Sequence, residues 1–193
     1  MSMIPLKIAL AICFIYLMIE SQLRYGKEAR SLKTTERDGK STFYLRILIE
    51  VNLLLLLSGF LLNHYKICIL FNNPNQAYLG NMIMVTGLII RVFATKTLKE
   101  YYTRTLKIQS NQKIIKTGLY KFVRHPGYLG GIMMWAGAGI SSDNYLIMIG
   151  IMMISLAIYH YRMNNEEKML LEAFGEEYQN YKERTWRIIP LIY

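Results

Sequence analysis

The sequence predicts an all-α integral membrane protein with about five transmembrane helices, and three observations support this prediction. First, 53% of the 193 residues are hydrophobic, and the mean hydropathy of +0.20 is high for a soluble domain of this size. Second, polar links separate five apolar segments. Third, these links alternate between strongly basic and nearly free of basic residues, as the loops of a multi-pass membrane protein do.

The apolar segments cover residues 3–19, 43–62, 77–94, 127–140 and 145–161 within a single domain, 1–193. A helix needs about 20 residues to cross the hydrocarbon layer, and the fourth segment is short by this measure. The polar residues Ser141 to Asn144 follow it and predict a tight turn before the fifth segment. No small-residue cleavage pattern follows the first segment, so we interpret it as a retained span rather than a signal peptide.

The basic residues predict the orientation of these spans. The formal net charge is +10, with six basic residues in the link after the first span and eight in the link after the third. The link after the second span has only Lys66, and the turn before the fifth span has none. By the positive-inside rule, the N-terminus lies outside and the C-terminus is cytoplasmic. Because the charge lies between apolar segments, we expect it to contact anionic lipid headgroups and not nucleic acid.

The C-terminal part has a different pattern. In residues 163–183, apolar residues recur at three- and four-residue steps, which predicts an amphipathic cytoplasmic helix. Gly175 is a possible break in that helix. We expect the helix to pack against the bundle or to lie on the membrane surface.

Four charged residues lie inside the predicted spans: Lys7 near the outer end of the first span, where it can snorkel, and Arg46, Glu50 and Arg91. Arg46 and Glu50 are four residues apart in the second span, so they share a helix face. They form either a structural ion pair or polar contact, or part of a functional site, because charges inside a membrane are costly. Arg91, near the cytoplasmic end of the third span, is expected to snorkel towards the headgroups.

A first cluster of candidate functional residues precedes the fourth span and contains Gly118, Tyr120, Arg124, His125, Pro126 and Tyr128. Glycine permits a tight turn and a close backbone approach to a ligand, and Pro126 suits the first turn of a helix. The free amides at that helix start, beside Arg124 and His125, predict a site for a carboxylate. The tyrosine rings would attract a cation such as a sulfonium.

A second cluster, Arg162 with Glu166 and Glu167, follows the fifth span. Arg162 and Glu166 share a helix face. One interpretation is structural: a juxtamembrane arginine at a headgroup, with two solvated glutamates at the start of a helix. The other is functional: an acidic pair that holds the ribose hydroxyls or the ammonium group of a cofactor.

The two clusters, in this order, resemble the isoprenylcysteine carboxyl methyltransferase family and its phospholipid methyltransferase relatives. The resemblance runs from about Leu98 to Pro190, and the first two spans match only in being spans. It rests on Gly118, Leu119, Tyr120, Arg124, His125, Pro126, Tyr128, Arg162, Glu166, Glu167, Leu170, Phe174, Gly175, Tyr178, Tyr181, Arg187 and Pro190.

The resemblance implies a membrane methyltransferase that binds S-adenosylmethionine in a cytoplasmic pocket, closed by loops and by the C-terminal helix. The implied cofactor-binding residues are Gly118, Leu119, Tyr120, Arg124, His125, Tyr128, Glu166, Glu167 and Tyr178. Arg124 and His125 would meet the methionine carboxylate, and the two glutamates would hold the ammonium or ribose. The implied catalytic residues are Arg162, which would orient an acceptor carboxylate by a bidentate contact, and Glu167.

The resemblance further implies a lipophilic acceptor that enters from the bilayer, most simply an isoprenylcysteine-type carboxylate methylated on oxygen. We also expect the protein to contact membrane lipids, and we infer no obligate protein partner. Gln112, Tyr102 and Lys168 depart from the family pattern, so a phospholipid amine, another lipid or a small thiol stays open as the acceptor. The separated cysteines, Cys13 and Cys68, predict neither a disulfide nor a metal site.

Two other functions are consistent with the pattern. One is an NADPH-dependent membrane reductase of related architecture, although carboxylates suit a cationic cofactor better than a phosphate-rich one. The other is a membrane adaptor or lipid-binding scaffold that keeps the fold without the activity. A transporter is disfavoured because no pair of Gly- or Pro-broken half-helices occurs.

Overall fold

The computed structural model describes residues 3–23, 38, 40–71, 74–103, 105–109 and 111–190. Within these residues the chain forms six α-helices: α1 (Ile4–Gln22), α2 (Ser41–His64), α3 (Tyr78–Leu98), α4 (Pro126–Ser141), α5 (Tyr145–Phe174) and α6 (Glu176–Glu183). Short 3-10 helices cover Pro74–Ala77, Lys99–Tyr101 and Gly118–Lys121. The described residues make only isolated β-bridges, so the fold is all-α, as predicted. Most of the first basic link (residues 24–37) and Arg104 lie outside the described residues.

In the described part of the chain, four helices are long and apolar enough to cross a membrane: Ile4–Gln22, Ser41–His64, Asn75–Tyr101 and Tyr145–Phe174. Their outward faces are apolar: Phe14, Leu54 and Met153 are 65%, 65% and 68% exposed, which suits contact with lipid. α4 has 16 residues, or about 24 Å of helix, against a hydrocarbon thickness of about 30 Å. The chain is therefore a multi-pass integral membrane protein, and a fifth crossing by α4 stays a prediction.

α3 and α4 lie antiparallel and very close because glycines face each other at two levels. A Cβ atom built on Gly80 would lie 2.4 Å from the carbonyl oxygen of Gly137, and one built on Gly87 would lie 2.6 Å from that of Gly130. Real side chains do not tolerate such distances. Small residues let membrane helices pack by van der Waals contact, and this contact holds the start of α4 beside the last turns of α3.

α5 runs without interruption from Tyr145 to Phe174, which corrects the two predicted helices, 145–161 and 163–183. The helix continues past Arg162 because polar side chains in its second half find partners on α2, on α4 and on the C-terminal segment. The predicted break at Gly175 is present: this residue has a φ of 52° and separates α5 from α6.

The polar turn between α4 and α5 closes one end of the bundle. The Asn144 side chain accepts hydrogen bonds from the amides of Leu146 and Ile147 and so caps α5. Asn63 of α2 donates to the carbonyl oxygen of Ser142 at 2.7 Å. The start of α4 and the second half of α5 therefore lie at the opposite end, where the basic links join the helices.

Candidate active site

A cavity of about 390 Å³ lies at the end of the bundle that the basic links join, within the range of about 300–1,000 Å³ typical of small-molecule sites. Its walls come from the last turns of α1 and α3, the first turns of α2 and α4, and the second half of α5. Residues between Leu98 and Ile115, together with Tyr178 and Tyr181 of α6, complete the lining. Both predicted clusters thus reach one cavity.

Arg162 of α5 is the centre of a polar network on the cavity wall. Its Nε donates to the hydroxyl of Tyr128 at 3.0 Å, and its Nη1 donates to Ser41 Oγ at 2.9 Å and to Thr42 Oγ1 at 3.3 Å. Oδ1 of Asp38 lies 3.7 Å from Nη1, and the arginine side chain is only 4% exposed. The first turns of α2 and α4 therefore fix the position of this guanidinium.

Asp38 is a buried carboxylate that the sequence did not single out. Its oxygens accept hydrogen bonds from the Leu106 amide at 2.9 Å, the Thr42 amide at 3.0 Å and Thr42 Oγ1 at 2.8 Å. Burial acts to raise the pKa of Asp38, but these hydrogen bonds and Arg162 outweigh it and lower the pKa below its usual value. Asp38 is ionised at neutral pH, and it joins the link before α2 to the segment around Leu106 and to α5.

Glu167 is held by three basic side chains. Its Oε1 lies 3.2 Å from Arg124 Nε, 3.0 Å from His125 Nε2 and 3.2 Å from Arg187 Nε. The Glu167 side chain is 11% exposed and does not line the cavity. Its carboxylate is therefore engaged beside the cavity, and the predicted contact of Glu167 with a cofactor or acceptor stays a prediction. Its structural effect is to fix His125 and Arg124, which do line the cavity.

The segment after α6 is bound alongside the start of α4, with residues 185–187 next to residues 122–125. The amides of Arg124 and His125 donate to carbonyl oxygens of this segment at 2.8 and 3.1 Å. The Arg124 guanidinium also donates to two carbonyls at the end of and just after α6. The predicted carboxylate site at Arg124 and His125 is therefore largely occupied by the protein's own acceptor groups.

Aromatic rings and Glu166 form one side of the cavity. The Tyr128 hydroxyl donates to Glu166 Oε2 at 2.5 Å, and its ring stacks on His125 with centroids 5.4 Å apart. Burial raises the pKa of Tyr120, and nearby Glu166 raises it further, so this phenol stays neutral. Tyr178 is 1% exposed and lines the cavity, and its hydroxyl has no hydrogen-bond partner among the described residues. This wall suits a cationic ligand that can also form a hydrogen bond with the Tyr178 hydroxyl.

Arg91 is buried inside the bundle, which corrects the prediction that it snorkels. Its Nε lies 3.2 Å from Oε2 of Glu20 in α1, and the two side chains are 9% and 8% exposed. Its Nη1 donates to the Gly127 carbonyl at 2.9 Å, and its Nη2 donates to the Tyr102 hydroxyl at 3.1 Å. The Tyr102 hydroxyl in turn donates to Glu20. These partners satisfy the guanidinium within the protein, so it has no need to reach the headgroups.

Arg46 and Glu50 line the cavity from α2, and both side chains are exposed. Neither makes an ion pair or hydrogen bond with any described residue, and they do not pair with each other. The structural ion pair considered from the sequence is therefore not formed. Charged side chains inside a spanning helix are costly and rare, so these two residues require another explanation.

Seven of the predicted site residues line the cavity: Tyr120, Arg124, His125, Tyr128, Arg162, Glu166 and Tyr178. Gly118 and Leu119 are exposed and do not line it, although Gly118 has the positive φ of 60° that a tight turn requires. The lining also includes residues that the sequence did not single out, namely Tyr16, Glu20 and Tyr159. For these three residues the sequence offers one indication, namely that Glu20 lies directly at the end of the first apolar span.

A family model described as the isoprenylcysteine carboxyl methyltransferase family matches residues 79–172. A probable protein-S-isoprenylcysteine O-methyltransferase of Oryza sativa subsp. indica is 28% identical over 153 residues, 76% of this chain and 80% of the rice protein. A protein-S-isoprenylcysteine O-methyltransferase of Dictyostelium discoideum is 29% identical over 118 residues, 60% of this chain and 50% of that protein. Methanethiol S-methyltransferase 1 of Bradyrhizobium diazoefficiens is 38% identical over 72 residues, 37% of this chain and 24% of that protein.

A solved structure of the eukaryotic intramembrane Ras methyltransferase, isoprenylcysteine carboxyl methyltransferase, matches with a TM-score of 0.63 and 22% identity. The match covers 77% of this chain and 52% of that chain, so this protein spans about half the length of that enzyme. At this identity the match shows the fold. Together with the family model and the curated relatives, it confirms the resemblance inferred from the two clusters: over residues 79–172 the chain is similar to the isoprenylcysteine carboxyl methyltransferase family.

Proposed function

We propose that this chain is an S-adenosylmethionine-dependent methyltransferase that methylates, on oxygen, the carboxylate of a lipophilic isoprenylcysteine-type acceptor. The observation that supports this most is the meeting of the two family clusters in one cavity, with His125 and Tyr128 from the first and Arg162 and Glu166 from the second. The rice and Dictyostelium relatives are named as protein-S-isoprenylcysteine O-methyltransferases.

The residues present fit S-adenosylmethionine. The cavity of about 390 Å³ is large enough for a small-molecule cofactor. Glu166 and the rings of Tyr128 and His125 would favour a cationic ligand. The unsatisfied hydroxyl of Tyr178 offers a donor and an acceptor for a polar ligand group. We therefore assign Glu166, Tyr128, His125 and Tyr178 to the cofactor.

When bound, S-adenosylmethionine supplies an activated methyl group: an acceptor oxygen bonds to the methyl carbon as the carbon–sulfur bond breaks and its electrons stay on sulfur. A carboxylate acceptor needs no base, because it is ionised at neutral pH. The residues of this chain therefore have to position two reactants and exclude water. The rigid polar wall around Tyr128 is suited to that task.

Arg162 and Glu167 act in this proposal as positioning residues. Arg162 was predicted to bind the acceptor carboxylate, but it is 4% exposed and donates to Tyr128, Ser41 and Thr42. It holds the Tyr128 hydroxyl, which donates in turn to Glu166. Glu167 holds the His125 ring together with the guanidinium groups of Arg124 and Arg187. Loss of either would misplace the groups that contact the cofactor.

We further propose that the cavity faces the cytoplasm. The links with six and eight basic residues both join helices at the cavity end, and the positive-inside rule assigns such links to the cytoplasm. With the N-terminus outside and the C-terminus inside, α4 would be the fifth crossing. A polar cofactor would then enter from the cytoplasm, and a lipophilic acceptor would enter sideways between helices.

Methyl transfer to a small thiol is a second candidate, and one relative favours it. The Bradyrhizobium methanethiol S-methyltransferase is 38% identical, against 28% for the rice relative, but over only 72 residues. A thiol must lose its proton to become a good nucleophile, so Glu20, Glu50 or Glu166 of the cavity would have to act as a base. Carboxyl methylation is the stronger proposal because the rice relative covers 76% of the chain.

Calorimetric titration of the detergent-purified protein with S-adenosylhomocysteine, and in parallel with NADPH, tests the cofactor assignment. We expect the first to bind at one site and the second not to bind. Glu166→Gln should weaken S-adenosylhomocysteine binding at least about tenfold, or about 1.4 kcal/mol. Glu177→Gln is the matched control, because Glu177 pairs with Lys116 on the surface and its side chain is 58% exposed. Binding of NADPH alone would favour a reductase, and binding of neither would favour a scaffold.

A further inference from the structure

Four arginine side chains line the cavity: Arg46, Arg91, Arg124 and Arg162. Arg91 is paired with Glu20, Arg124 with Glu167, and Arg162 with Asp38 and three hydroxyl groups. Arg46 differs from the other three, because it makes no hydrogen bond or ion pair with any described residue. It is therefore the cavity arginine whose guanidinium is available to a ligand.

The position of Arg46 relates it to the network around Arg162. Thr42, Arg46 and Glu50 follow one another at four-residue steps on α2, about 6 Å apart along the helix axis, and all three line the cavity. Thr42 Oγ1 accepts a hydrogen bond from Arg162 at 3.3 Å. Arg46 thus lies one turn further into the spanning helix than the residues that hold Tyr128.

The surroundings of Arg46 suit a molecule with one anionic group and a long apolar part. Leu45 and Ile49 of the same helix and Leu17 of α1 also line the cavity. An apolar tail alone would require no charge there, and a charged side chain in a span is costly without a partner. A guanidinium binds a carboxylate through two parallel hydrogen bonds, and does so more strongly where water is excluded.

We propose that Arg46 binds the carboxylate of the lipophilic acceptor inside the cavity, and that Glu50 restricts this subsite to a singly charged anion. The inference rests on the carboxyl methylation proposed above and names the residue that recognises the acceptor. Glu50, one turn deeper, repels additional negative charge. A phosphate monoester would therefore be rejected in favour of a carboxylate.

Binding can be tested without turnover by measuring competition between N-acetyl-S-farnesylcysteine and its carboxamide in the presence of S-adenosylhomocysteine. We expect the wild-type protein to prefer the carboxylate at least about tenfold, and Arg46→Gln to lose that preference while it binds the carboxamide and S-adenosylhomocysteine normally. Arg46→Lys should restore part of the preference. Lys96→Gln is the matched control, since Lys96 is exposed near the same end of the bundle and does not line the cavity.

In turnover assays, Arg46→Gln should raise the KM for the acceptor at least about tenfold with a smaller change in kcat, and Glu50→Gln should lower that KM. A carboxylate preference that survives in Arg46→Gln would overturn the inference and leave the proposed function intact. A wild-type protein that binds S-adenosylhomocysteine but shows no preference for the carboxylate would overturn the proposed acceptor, and this inference with it.

Discussion

Glu20 and Arg91 form a buried ion pair between α1 and α3, with Nε 3.2 Å from Oε2 and side-chain exposures of 8% and 9%. Through its Nη1, Arg91 also binds the Gly127 carbonyl in the first turn of α4 at 2.9 Å. One side-chain pair therefore connects three helices at the base of the cavity, and it joins a residue outside the family match to one inside it.

Glu20→Gln should destabilise the protein by about 3–5 kcal/mol, because it leaves the buried Arg91 guanidinium without a compensating charge. The expected readout is a lower Tm in detergent. The double variant Glu20→Leu with Arg91→Met is the comparison, since replacing a whole buried ion pair by apolar side chains is often close to neutral. A double variant less stable than the single variant would contradict this interpretation of the pair.

Gly87→Ala should weaken the contact between α3 and α4. A Cβ atom at residue 87 would lie 2.6 Å from the Gly130 carbonyl oxygen, so the two helices would have to separate. The expected cost is about 1–3 kcal/mol, typical of overpacking, measured by thermal unfolding. Gly150→Ala is the matched control, because its Cβ would meet only a Leu55 side-chain methyl at 3.4 Å. Equal stabilities of the two variants would rule out the proposed close contact.

Glu167→Ala should abolish turnover while the protein still inserts into membranes. The reason is indirect: Glu167 holds Arg124, His125 and Arg187, and without it both the His125 ring and the C-terminal segment lose their fixed positions. S-adenosylhomocysteine affinity should fall together with activity. Near-normal turnover in Glu167→Ala, or an equal loss in the surface variant Glu177→Gln, would be incompatible with this role.

The contribution of Asp38 to stability should depend on pH. Hydrogen bonds lower its pKa in the folded protein below the usual value of 3.8, so its stabilising effect is present above that value and is lost as the pH falls towards the folded-state pKa. The difference in Tm between wild type and Asp38→Asn should therefore be constant from about pH 7 to 5 and shrink below about pH 4. A Tm difference that grows towards low pH would contradict the predicted direction of this pH dependence.

Much of the fold could be predicted because membrane spans have a strong local signature. The apolar segments lie close to the helices of the structure, and Pro126 and Gly175 mark a helix start and a break, as expected. The extent of α5 was predicted incorrectly because its polar second half resembles a separate surface helix. Only partners distant in sequence, such as Ser41 for Arg162, show why the helix continues.

The site could be predicted where its residues follow a family pattern, as Tyr128 and Glu166 do. It could not be predicted where pairing depends on tertiary contacts. The sequence does not show that Glu20 meets Arg91, or that Asp38 meets Leu106 and Arg162. Glu167 matched the motif, but its partner Arg187 lies twenty residues away, beyond α6, and holds it beside the cavity instead of on its wall.

The most direct test of carboxyl methylation is the chemical stability of the product. The purified protein is incubated with S-adenosylmethionine labelled in the methyl group and with N-acetyl-S-farnesylcysteine, and the labelled product is treated with alkali. A methyl ester hydrolyses and releases the label as volatile methanol, which is the result we expect. Label that is transferred but stays on the acceptor after alkali would show methylation of nitrogen or sulfur and would contradict the proposed function.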